Sequence, residues 1–129
     1  MDYRKLFAEI HRRPGLYGLD GGYHDYCTFL LGADAGNDGQ LLTGFTESLV
    51  PRVGTGDSLT WTSLVLHLAF PGRTAGWREE AAGEGRQHAV DLLFALLDEF
   101  LERRAAPGGT AAIFDDYLTW LKAQSWYRR

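Results

Sequence analysis

The sequence predicts an all-α fold: a single helical domain over residues 1–129, built as a bundle of five to six helices. Three observations lead there. Apolar residues recur at the three-and-four spacing of one helical face in successive segments. Prolines and glycines fall between those segments, where helices stop. Only one segment, residues 58–70, also alternates like a strand, and no second run of that kind exists to pair with it. The alternative is an α+β fold with a small sheet that includes residues 58–70.

From Asp2 to His11, Tyr3, Leu6, Phe7 and Ile10 share one face, and Asp2 is placed to cap the helix start. Pro14 and Gly15 end it, because proline pushes the residue before it out of helical geometry and glycine accepts a left-handed turn. Arg13, Pro14, Gly15 and Tyr17 therefore read as a structural turn motif. Tyr23 to Ala33 places Tyr26, Cys27, Leu30 and Leu31 on one side of a second helix, with a loop from Asp34 to Asp38. Asp38 is positioned to cap a third helix bearing Leu41, Leu42, Phe45 and Leu49, limited by Pro51, which lacks the amide hydrogen that the helix ladder needs. Ser58 to Phe70 fits both periods, and we read it as helix. Residues 71–84 read as an exposed connection carrying Trp77, Glu79 and Glu80. The clearest element is Arg86 to Arg104: Ala89, Leu93, Leu96, Leu97 and Phe100 form a stripe, widened by Val90, Phe94 and Leu101. So broad an apolar face implies a helix packed on two sides. After Pro107-Gly108-Gly109, Thr110 is placed to cap a last helix with Ile113, Phe114, Tyr117, Leu118 and Leu121.

Apolar residues make up 45% of the chain and charged residues 23%, an ordinary globular balance that allows folding unaided. The net charge of -4 argues against a nucleic-acid partner, which needs clustered cations to displace counterions. The longest apolar run, Leu64 to Phe70, falls far short of the ~20 residues that span a bilayer, so no membrane insertion is expected. The single cysteine, Cys27, has no partner for an internal disulfide, and the N-terminal residues lack a signal-peptide pattern. A cytoplasmic protein is expected.

No catalytic residue, metal site or cofactor is assigned. His24 and Cys27 are helical neighbours, but zinc wants a second ligand pair and none appears. The serines carry no nucleophile-elbow signature. Adjacent acids such as Asp115 and Asp116 point about 100° apart on a helix, and Glu99 with Arg103 has the spacing of an ordinary four-apart ion pair. The glycines form neither a phosphate loop nor a dinucleotide fingerprint.

Arg12 to Gly18 is similar to a short segment of type II topoisomerase ATPase subunits, but the ATP motifs that the likeness demands cannot be placed in this chain. A broader match runs through Arg13 to Tyr17, Phe29-Leu30-Leu31-Gly32, Phe45 to Val50, Leu59-Thr60-Trp61 and Leu96 to Leu101. In these pieces the chain resembles small bacterial immunity proteins of polymorphic-toxin and contact-dependent inhibition systems. The resemblance implies a non-catalytic protein that binds and neutralises a cognate toxin domain. A partner surface would combine acids with aromatics, and the candidates are Asp34 and Asp38, then Trp77, Glu79 and Glu80, then Asp115, Asp116, Trp126 and Tyr127. Two other classes stay open. One is a small enzyme or ligand-binding helical domain with a pocket near the glycine-rich turn at 14–24, lined by Tyr17, Tyr23, His24 and Tyr26. The other is a homo-oligomeric scaffold that pairs faces of residues 86–104 or 110–126.

Overall fold

The computed structural model describes residues 1–56, 59–72, 83 and 85–127. Among these the chain forms six α-helices and no strand, so the small-sheet alternative is set aside. Helix α1 is Tyr3–Arg12, and a 3-10 turn at Pro14–Tyr17 leads to α2, Tyr23–Gly36. Then come α3, Phe45–Val53, α4, Trp61–Ala69, α5, Arg86–Ala105, and α6, Gly109–Lys122. No helix among the described residues is long and apolar enough to cross a membrane.

Helix α5 is the spine. All eight of its expected apolar residues, Ala89 to Leu101, are buried, and the helix touches α1, α2, α3, α4 and α6. That is the two-sided packing that its wide apolar face required. Every buried residue among those described is apolar apart from the glycines at 44 and 109, and the apolar ones form one continuous cluster. Helix α4 explains its own ambiguity: Trp61, Leu64, Val65, Leu66 and Ala69 are all buried, so it is apolar nearly all round and carries no sharp period.

The helix ends follow local chemistry. Asp2 caps α1, its Oδ1 accepting from the Lys5 amide at 3.2 Å. The turn motif closes on Gly18, left-handed at φ 74°, while the Leu19 amide donates to the Pro14 carbonyl. Four expectations need correction, one of them the cap at Thr110: α6 begins at Gly109, with Gly108 at its N-cap. Helix α2 runs on through Asp34 to Gly36, because Asn37 Nδ2 satisfies the Ala33 carbonyl at 2.7 Å and the Gly39 amide satisfies that of Asp34 at 2.8 Å. Asp38 caps nothing: it and Gly39 take left-handed φ values of 58° and 73°, the pattern of a type I′ turn, which delays α3 until Phe45. Pro51 sits inside the last turn of α3 instead of ending it, at the loss of one ladder bond, and Gly54 at φ 83° makes the stop.

The turn between α2 and α3 is held from both sides. Asp34 Oδ1 accepts from the Leu42 amide at 2.8 Å. From α5, the Arg104 guanidinium donates to the carbonyls of Gln40 and Thr43 and lies 4.9 Å over the Phe100 ring. Leu41 and Leu42 are thereby pressed into the core without being helical.

Helix α1 is clamped to α5 by a two-pronged pair: Arg4 Nε and Nη2 reach the two Asp98 oxygens at 2.7 and 3.0 Å. These hydrogen bonds hold the Asp98 carboxyl below the usual carboxylate range, against a smaller opposing effect of burial. A carboxyl depressed in the folded state stabilises the fold above its unfolded value of about 3.9, and that contribution is lost as the pH falls through the folded value. Both side chains are about half exposed, so Asp98→Asn should cost only a few tenths of a kcal/mol at neutral pH. Urea midpoints taken from neutral to acid pH should show the gap between wild type and variant closing. A gap that widens toward acid would contradict the assignment.

Candidate functional site

Helices α3 and α6 both pack on α5 and on each other. Where they meet, side chains at α5 positions 96, 99, 100 and 103, one stripe at helical spacing, face a space between the two neighbours. The result is an open groove of about 130 Å³. Pro51 of α3 lines it, half-buried, and the buried Leu49 of α3 with Leu96 and Phe100 of α5 close its floor with a narrow apolar strip. Glu47 and Arg52 of α3, Glu99 and Arg103 of α5, and Asp116 of α6 line it with charge. Two ion pairs cross it: Arg52 Nη1 to Glu99 Oε1 at 3.1 Å, and Arg103 Nη2 to Asp116 Oδ2 at 2.5 Å. The four-apart pairing expected of Glu99 with Arg103 is replaced by these tertiary pairs, since each side chain finds a partner on the neighbouring helix. Three carboxylates against two guanidinia leave the groove with one excess negative charge.

Of the expected partner residues, Asp116 alone lies in this groove. Its neighbour Asp115 points away into solvent, as the 100° step between adjacent helical residues dictates. Asp34 is half-buried and serves as the staple of the α2–α3 turn, and Asp38 is an exposed turn residue. Trp77, Glu79 and Glu80 lie outside the described residues. Trp126 is 54% exposed, whereas Tyr127 is half-buried. Spacing gave no sign of Glu47 or Arg52; it is the packing of α3 on α5 that brings Arg52 to Glu99.

The tyrosines near the glycine-rich turn are dispersed. Tyr23 donates its hydroxyl to the Thr62 carbonyl at 2.6 Å, and Tyr26 donates to the carbonyls of Ile10 and His11. Both rings are buried. Tyr17 meets Phe29 edge-on and His24 is exposed. Burial pushes the Cys27 thiol up to about 12, away from the thiolate that a nucleophile or metal ligand uses. His11 is stacked on Phe94 at 4.5 Å with its Nε2 2.8 Å from Asp91 Oδ1, which ties α1 to α5. Among the described residues no three His, Cys, Asp or Glu side chains come together in a way that holds a metal ion.

The chain matches no family model, no curated protein and no solved structure.

Proposed function

We propose that this chain is a protein-binding domain of the immunity type, which neutralises a toxin domain by seating a basic part of it in the α3–α5–α6 groove. The observation that carries the proposal is the groove's composition: the half-buried Pro51 and a narrow apolar floor over the buried Leu49, Leu96 and Phe100, beside the carboxylates of Glu47, Glu99 and Asp116. Such a surface suits an arginine or lysine, whose carbon stem lies on apolar atoms while its cationic head meets carboxylates. The resident pairs Arg52–Glu99 and Arg103–Asp116 are solvent-exposed and individually weak, so a partner's guanidinium can exchange with them at little cost. The net charge of -4 adds long-range attraction to a basic partner and speeds encounter. Neutralisation by covering a cleft needs no chemistry from this chain, and on this reading the domain acts in the cytoplasm.

The test is co-expression with the toxin-like domain encoded beside it, followed by calorimetry on the purified pair. A stable complex is expected, with an affinity that falls as salt rises. Glu47→Lys and Asp116→Lys should each weaken it about tenfold or more while leaving the melting temperature nearly unchanged. The proposal is abandoned if no neighbouring gene encodes such a domain and nothing from it co-purifies, or if both charge reversals leave the affinity as it was.

A further inference from the structure

Helix α6 gives only part of its surface to the fold. Ile113 is buried and Trp120 packs on the core, but Ala111, Ala112, Asp115, Leu118, Thr119 and Lys122 are all exposed and recur at the spacing of one outer face. Leu118 is 44% exposed at its centre, and Trp126, 54% exposed, stands in the turn beyond its end. Asp115 and Lys122 are seven residues apart, about 10 Å along the axis, too far to pair with each other. Neither makes an ion pair among the described residues.

This face is self-complementary in one register. We infer that it is a homodimer interface, in which α6 of a second copy lies antiparallel across the first, about a two-fold axis between Leu118 and Thr119. Residues of the helix equidistant from that axis then oppose one another: Asp115 faces the partner's Lys122, and Leu118 packs on the partner's Leu118 and Thr119. Two-fold symmetry forms each contact twice, as a closed isologous interface requires. A parallel pairing is excluded by charge, because it would set Asp115 against Asp115 and Lys122 against Lys122. One helix pair of this length falls at the low end of interface sizes, below about 1,200 Å², so the association is weak and concentration-dependent. The inference is independent of toxin binding, since none of these outer-face residues lines the groove.

Sedimentation velocity over a wide concentration range reads it directly. Wild type should pass from monomer to dimer, and Asp115→Lys and Lys122→Asp should each weaken dimerisation about tenfold or more by setting like charges together. An equimolar mixture of the two single variants should form a heterodimer, because both of its charge contacts become attractive. The double variant Asp115→Lys/Lys122→Asp should recover homodimerisation. All substituted positions are exposed, and circular dichroism melts verify that each variant is folded. A wild type that stays monomeric throughout overturns the dimer. Dimerisation that is indifferent to the single reversals, or not restored by mixing, overturns this interface.

Discussion

Replacing Phe45 with alanine is expected to lower the unfolding free energy by roughly 3–5 kcal/mol, the range for deleting a buried aromatic ring. Phe45 has 0% exposure and is the first residue of α3. Its ring centroid lies 5.5 Å from that of Trp61 on α4 and 5.1 Å from that of Phe100 on α5, so one side chain joins three helices. Truncation removes both aromatic contacts, each worth about 0.5–1.5 kcal/mol beyond area burial, and leaves a cavity that three packed helices close only in part. Domains of this kind are stable by about 5–15 kcal/mol, so the variant should sit near the edge of folding. Urea denaturation followed by circular dichroism measures the loss, and Phe29→Ala supplies the comparison. Phe29 is half-buried and meets Tyr17 edge-on at 6.4 Å, so its truncation should cost less than half as much. Equal losses at the two sites would mean that the α3–α4–α5 junction is not the centre of the core.

The same junction shows what periodicity reveals and what it hides. Helix α5 was fully legible because its stripe repeats over about three turns and every apolar position on it is buried. Helix α4 was harder to read because burial on nearly every side erases the contrast between faces. The start of α3 was set too early because Leu41 and Leu42 fit a helical face, yet they are buried from a turn. What decides that turn is not spacing. Asp38, Gly39 and Gly44 are left-handed, and the Asp34 carboxylate reaches the Leu42 amide eight residues along the chain. Asp34 was read as a surface charge for the same reason: a carboxylate that accepts from a distant amide looks, in sequence, like one that faces water.

The candidate groove was less legible than the fold. Asp116 was named for its place among acids and aromatics, and the structure puts it there through Arg103. Glu99 and Arg103 carried a convincing local spacing, but a side chain on a packed helix also meets the neighbouring helix. Arg52 and Asp116 offered closer partners than the next turn did. A charge pair that bridges helices leaves no periodic trace, because its two members are separated by a loop whose length is unrelated to the helical repeat.

The corner between α5 and α6 is fixed by a close backbone approach, and Gly109→Ala is expected to break it. A Cβ at 109 would lie 2.0 Å from the Arg103 carbonyl oxygen and 2.8 Å from that of Arg104. Neither obstacle is a flexible side-chain tip; both are backbone at the end of α5, so α6 itself must move. We expect a loss of about 3 kcal/mol, the upper end of what forced overpacking costs. The displacement also draws Ile113 from the core and Asp116 from Arg103, so the α3–α5–α6 groove should lose its shape with the stability. This is why the last helix begins on Gly109 and not on a cap at Thr110, which is exposed within the first turn. Gly108→Ala separates the two roles of the pair. Gly108 has φ 69° with nothing within 4 Å of an added Cβ, so it should lose only the left-handed penalty, about 1–2 kcal/mol. Thermal and urea unfolding of both variants should rank Gly109→Ala as the more damaging. The opposite order would mean that backbone handedness, rather than contact with the Arg103 carbonyl, sets the angle at which α6 leaves α5.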